Sequence, residues 1–210
     1  MADFQILKNN IIDMLEEQQQ KLGYQRETVR LYYPLESLNH LLGTSANREQ
    51  MRDLLREFRD SAPELGPLRF SDREERFCVT VPPEGTEYVF RSVPENQFLK
   101  GLLRLVSRHG CTLNEVRDYF RRSADCVTEC RMAEEFDLLL YFPDGKPDTY
   151  RYCLKEEGSH VLYHRFTEAD FLSLGLREAD EAVPCSQSSQ NTPEASDRKD
   201  PDSRFREMHR

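Results

Sequence analysis

Two leucine-bearing stretches on either side of one glycine turn constrain this chain more than any other feature. Leu35, Leu38, Leu41 and Leu42 precede Gly43-Thr44-Ser45, and Met51, Leu54, Leu55 and Phe58 follow it. Both sets recur at spacings of three and four, so each stretch reads as a helix with one apolar face. Gly43 stops the first helix, because glycine enters the left-handed backbone of a C-cap without a Cβ penalty. Asn47 opens the second, its side chain placed to accept from free N–H groups of the first turn. Two helices this short need partners on their remaining apolar surface, and the neighbouring sequence supplies them.

Phe4, Leu7, Ile11, Met14, Leu15 and Leu22 predict an earlier helix over 3–22, stopped by Gly23. Thr28 to Tyr33 is β-branched and aromatic and reads as a short strand. After Phe58, the residues Pro63, Gly66 and Pro67 close the third helix. Phe77, Val79 and Val81 alternate with polar neighbours, and Tyr88 and Phe90 do the same beyond Pro82-Pro83-Glu84-Gly85. That pattern predicts a two-stranded ribbon with a Pro/Gly tip. The expected order is helix, strand, helix, tight turn, helix, strand, loop, strand. This is the order of a winged helix, and SLNHLLGTSANREQM (37–51) resembles the helix-turn-helix of that family.

A second unit begins near Pro94. Phe98, Leu102, Leu105, Val106 and His109 mark a helix ending at Gly110, and Thr112 with Glu115 forms a capping box for the next. Strands are expected at 126–132, 136–142, 150–154 and 161–166, with a turn at Pro143 to Asp148. Thr167 then caps a short helix running through Leu174. The expected fold class is α+β, in three parts. A winged helix-turn-helix-like module spans 1–92. An α+β domain with a helical hairpin, an antiparallel meander and a short helix spans 93–175. A disordered tail spans 176–210, where only Leu176, Val183, Phe205 and Met208 are large and apolar. Such a tail cannot bury enough surface to offset its ordering entropy.

The net charge of −9 weighs against a protein that coats DNA, since phosphate neutralisation supplies most non-specific affinity. No stretch approaches the roughly 20 apolar residues that span a bilayer, so no membrane partner is expected. Met1 to Lys8 lacks the basic and apolar regions of a signal peptide. The six cysteines are scattered through apolar patterns, and Cys126-x-x-x-Cys130 has the wrong spacing for a redox or zinc pair. A cytoplasmic location with all thiols reduced is the expectation.

Three groups of residues are candidates for binding. Arg48, Arg52, Arg56 and Arg59 form one stripe of the third helix, the element that enters the major groove in helix-turn-helix proteins. Glu49, Asp53, Glu57 and Asp60 repeat on the next stripe, as on an ordinary salt-bridged face. Lys100, Arg104, Arg108, Arg117, Arg121 and Arg122 form a basic patch. Over 98–122 only Glu115 and Asp118 oppose them, leaving a local excess of four positive charges. The patch suits nucleic acid, another anionic partner, the acidic tail or a second subunit. Tyr150, Tyr152, His160, His164 and Arg165 form a candidate polar site, with both histidines expected on one strand face near the others. No third ligand accompanies the histidines, so no metal and no cofactor is nominated. Nucleotide-binding, zincin and nucleophile-elbow motifs are absent from the sequence, and no catalytic residue stands out.

VRLYYPLESLNHLLGT (29–44) and YFPDGKPDTYRYCLK with HVLYHRFT (141–167) resemble blocks of an uncharacterised bacterial protein family, known only as a domain of unknown function. The resemblance covers roughly 4–175 and implies a bacterial cytoplasmic protein, without an activity or site residues. Three functions follow as expectations. The first is a non-catalytic regulatory or adaptor protein contacting a protein partner or a second copy of itself. The second is a DNA-binding transcriptional regulator. The third is an enzyme with a small polar site on the C-terminal meander.

Overall fold

The computed structural model describes residues 2–73, 76–132 and 135–176. Helix α1 (Phe4–Leu22) is capped by the Asp3 carboxylate, which accepts from the N–H groups of Gln5 and Ile6. Strand β1 (Val29–Pro34) leads directly into α2 (Leu35–Leu42), which ends at Gly43 with φ 62°. Asn47 and Gln50 form a reciprocal capping box at the start of α3 (Arg48–Ser61). A short 3-10 turn (Pro63–Leu65) precedes the hairpin of β2 (Arg69–Arg73) and β3 (Arg76–Val81). The antiparallel sheet has the order β1-β3-β2. Val29, Leu31 and Tyr33 of β1 face Val81, Val79 and Phe77 of β3 in register. Their period-two alternation buries one row, with Leu7, Ile11, Leu38, Leu42, Met51, Leu55 and Phe58 packed in the same core.

Two expectations need correction here. The ribbon exists, but its second strand is β2, upstream of β3. The segment expected as the other strand, Tyr88 and Phe90, lies in helix α4 (Pro83–Ser92). Pro83 takes the first helical turn, where the missing N–H costs nothing. Gly85 is not a turn tip. It sits in α4 where a Cβ would lie 2.4 Å from the Leu65 carbonyl oxygen.

Helices α5 (Gln97–Val106) and α6 (Leu113–Ser123) follow, the second opened by the expected Thr112–Glu115 capping box. Four antiparallel strands then pair in chain order: β4 (Thr128–Arg131), β5 (Leu138–Tyr141), β6 (Arg151–Glu157) and β7 (His160–Phe166). One face of this meander packs on α5 and α6 through Phe98, Val116, Phe120, Leu140, Phe142 and Tyr152. The Phe98 ring meets those of Phe120 and Phe142 edge-on, each with centroids 5.0 Å apart. The other face carries a smaller cluster of Cys130, Phe136, Leu139 and Cys153 beneath Phe171 of α7 (Glu168–Ser173). The architecture is therefore mixed α+β, with seven α-helices and two antiparallel sheets among the described residues.

The disordered tail expected over 176–210 lies outside the described residues from 177 onward, and Leu176 packs partly buried against the Phe171 cluster. Cys78, Cys111 and Cys153 are free and buried, and Cys130 is buried, as expected of core cysteines. Cys126 is disulfide-bonded, which corrects the expectation that all six are reduced, and Cys185 lies outside the described residues. No described helix is long and apolar enough to cross a membrane.

Candidate functional site

Period-two geometry decides which side of the meander each residue of β7 reaches. Val161, Tyr163 and Arg165 point toward the helices, while His160, Leu162 and His164 point away, all three exposed. Cross-strand pairing sets Arg165 opposite Tyr152. The expected polar site therefore splits. Tyr150, Tyr152 and Arg165 come together, and the two histidines do not join them. His160 instead lies beside His109, ring centroids 5.4 Å apart. His164 packs against Phe136 and Phe166. No described group of three or more His, Cys, Asp or Glu is arranged to hold a metal.

Arg165 is the centre of what does assemble. Its side chain is only 5% exposed, and its guanidinium carbon lies 3.8 Å from the centroid of the Tyr150 ring. Nη1 donates to Glu17 over 2.9 Å and Nη2 to Asp148 over 3.4 Å, while Nε has no hydrogen-bond partner among the described residues. Asp148 also accepts from the Tyr152 hydroxyl at 2.9 Å, the Asn96 amide at 3.0 Å and the Tyr150 backbone N–H at 3.0 Å. Glu17 accepts from the Tyr163 hydroxyl at 2.8 Å and pairs with Lys21 at 2.7 Å. A second chain of bonds runs from α1 to β1. Tyr150 donates to Asp13 at 3.0 Å, Asn10 donates to the Tyr150 oxygen at 3.3 Å, and Tyr33 donates to Asn10 at 2.9 Å.

The electrostatics follow from burial. Desolvation pushes the Tyr33, Tyr150, Tyr152 and Tyr163 hydroxyls well above their ordinary range, so they remain neutral donors. Desolvation also raises the Asp13 carboxyl, against the lowering effects of the Tyr150 hydrogen bond and Arg165. At Glu17 burial acts in the same direction, but the Lys21 hydrogen bond and the Arg165 charge outweigh it and hold the carboxyl below its usual range. Burial works against the Arg165 charge, and the surrounding tyrosines and carboxylates more than restore it.

Beside this network opens a cleft of about 460 Å³, bounded by α1, β1, the start of α2, the end of β7 and α7. The reading from sequence missed Asn10, Asp13, Glu17, Tyr33, Asp148 and Tyr163. A signal was present for three of them. Asn10, Asp13 and Glu17 share one face of α1, at spacings of three and four, next to the apolar row.

The arginine stripe sits elsewhere, on α3 against β2. Arg48 and Arg52 converge on Asp72, at 3.5 and 2.6 Å. Arg56 pairs with Asp53, and Arg59 with Asp60 at 3.2 Å. A groove of about 450 Å³ between α3 and β2 is lined by Arg52, Arg56, Arg59 and Arg69, with Asp72 among them. The patch on α5 and α6 is paired with acids from both inside and outside its own segment. Lys100 pairs with Glu95 at 2.5 Å, Arg108 pairs with Glu115, and both Arg117 and Arg121 meet Glu129 at 2.6 and 3.0 Å. Arg104 and Arg122 are exposed.

A model of the domain of unknown function DUF3877, described from an E. rectale gene, matches residues 4–175. The chain belongs to this family. The matched span takes in both sheets and ends within the turn after α7, so the Arg165 network and the α3 groove both lie inside it. No curated protein and no solved structure matches the chain.

Proposed function

We propose that this member of the family is a non-catalytic regulatory or adaptor protein, with a winged-helix-like N-terminal scaffold used for contact with a protein partner or a second copy of the chain. The order α1-β1-α2-α3-β2-β3, closed as a β1-β3-β2 sheet, supports the scaffold reading, because a winged helix has that connectivity. The observation that carries the functional reading is the pairing of the α3 arginines with carboxylates of α3 and β2. The helix that reads DNA in such scaffolds is here charge-balanced along its exposed length. Steering by a net charge of −9 opposes approach to a polyanion as well.

DNA binding is the second reading, favoured by one observation. The four arginines of the α3–β2 groove face one opening, and exposed ion pairs are worth only about 0–1 kcal/mol, so phosphates can compete for them. Mobility-shift titration of the full chain with duplex DNA, at about 50 mM and about 150 mM salt, separates the two. The adaptor reading expects no retardation at either salt. A shifted complex that persists at the higher salt overturns it in favour of DNA. Light scattering across a concentration series then tells self-association from a monomer awaiting another protein.

A further inference from the structure

We infer that the groove between α3 and β2 takes an extended acidic peptide of a protein partner, which adds to the free edge of β2 as a fourth strand of the sheet. This rests on the protein-contact reading above and gives the partner a chemistry.

Strand β2 ends the order β1-β3-β2, and no described strand pairs with its outer side. An edge strand presents a row of unpaired N–H and C=O groups to whatever lies beside it. The groove of about 450 Å³ runs along that edge. Five consecutive residues, Leu68 to Asp72, line it, whereas a groove over one face of a strand would meet only every second residue. The opposite wall carries the arginine row of α3, Arg52, Arg56 and Arg59, and the buried side chains of Leu55, Leu68 and Phe77 complete the lining. An open edge beside a groove is where extended peptides add to a sheet, their main chain giving affinity and alternate side chains giving specificity.

Charge and hydrogen bonding select the occupant. Four arginines, Arg69 of β2 among them, line the groove against one carboxylate, Asp72, an excess of three positive charges in a chain of net −9. Asp72 holds Arg52 at 2.6 Å, and Arg69 meets no carboxylate among the described residues. The acids paired with Arg56 and Arg59, Asp53 and Asp60, are 62% and 76% exposed at their side chains and lie outside the groove lining. Such exposed pairs are weak, so an incoming carboxylate competes with them. Phosphates answer the arginines but not the C=O groups of the strand edge, which need donors. A peptide backbone supplies donors and acceptors alike. Self-pairing of two β2 edges would set two positive grooves against each other, and like charges across strands are destabilising.

The test is fluorescence anisotropy of a labelled heptapeptide of alternating glutamate and threonine, titrated with the full chain. Binding is expected, and the same peptide with glutamine in place of glutamate should bind at least about tenfold more weakly. Two further peptides carry N-methyl groups on the glutamate amides or on the threonine amides. Alternate residues of a strand point their N–H groups to opposite edges, so one methylated peptide is expected to lose binding and the other to keep it. Arg56→Gln and Arg59→Gln, at exposed positions, should each weaken binding about threefold. No anisotropy change up to about 1 mM chain overturns the proposal and leaves the arginines as guards against edge pairing. It is equally overturned if the two methylated peptides behave alike, if the glutamine peptide binds as the parent does, or if neither variant alters affinity. DNA retardation in the mobility shift overturns the adaptor reading itself. With no retardation and no peptide bound, that reading stands and only the acidic strand falls.

Discussion

The Arg165 guanidinium lies 3.8 Å from the centroid of the Tyr150 ring, between carboxylates that come from opposite ends of the chain. Glu17 belongs to α1 and Asp148 to the loop before β6, and Arg165 bonds both. The network therefore fastens the N-terminal helix to the C-terminal meander. Arg165→Ala would leave the Asp148 carboxylate, 2% exposed at its side chain, without its cation. Removing one partner of a buried pair costs about 3–5 kcal/mol, because the remaining charge stays desolvated. Urea unfolding of the variant should show that loss. A change below about 1 kcal/mol would mean that the pair is screened as a surface bridge is. Arg165→Lys should recover only part of the loss, since an ammonium can neither fork between two acids nor stack flat on Tyr150.

Asp13 sets a pH dependence with a defined sign. Burial raises its carboxyl above the ordinary value of 3.8, so the native state holds the Asp13 proton more tightly than the unfolded chain does. Below 3.8 both states are protonated and Asp13 contributes nothing. As pH rises from 3.8 toward the raised native value, the unfolded chain ionises first and stability falls; above the native value the penalty is constant. Glu17 runs the other way. Its lowered carboxyl adds stability above its ordinary 4.5, and that stability is lost as pH falls through the native value. Asp13→Asn keeps an oxygen for the Tyr150 hydroxyl and removes the penalty. The variant's stability relative to the parent should therefore climb as pH rises above 3.8 and level off once pH passes the raised native value. A difference that stays flat with pH would show that Asp13 titrates as an exposed carboxylate.

The legible parts of the fold were those in which one residue type has one use. Gly43, Asn47, Thr112 and Thr167 sit at helix ends, where their backbone freedom or side-chain oxygens are needed, and the helices begin and end there. The meander was legible from β5, the continuous apolar run Leu138-Leu139-Leu140-Tyr141, and from the aromatic and aliphatic residues that punctuate β6 and β7. Strand β2 was illegible because it is an edge strand of five residues with one large apolar side chain, Phe70. Of the candidate site, Tyr150, Tyr152 and Arg165 could be paired from strand spacing alone. His160 and His164 shared a face, as expected, but a parity argument within one strand cannot say which face meets the helices. Asp148 and Tyr33 were out of reach, since only tertiary packing brings a loop and a distant strand to the same guanidinium.

Gly85 shows how a turn signal can conceal a packing requirement. Pro82-Pro83-Glu84-Gly85 has turn composition, yet Pro83 starts α4 and Gly85 is buried within it. By helix propensity alone, replacing an interior glycine with alanine should stabilise by about 1 kcal/mol. Here the new Cβ would lie 2.4 Å from the Leu65 carbonyl oxygen and 2.6 Å from Val81 Cγ1. The oxygen belongs to the backbone of the 3-10 turn, fixed by the Leu65 N–H bond to Ala62 and the Gly66 N–H bond to Pro63, so it cannot swing aside as a side chain would. Overpacking of this kind costs about 1–3 kcal/mol, which exceeds the propensity gain across most of that range. Gly85→Ala should accordingly lower the urea midpoint, and a control at an exposed position of the same helix, Ser92→Ala, should not. A Gly85→Ala protein more stable than the parent would mean that α4 and the 3-10 turn sit further apart than 2.4 Å allows, and that Gly85 is retained for some reason other than close approach.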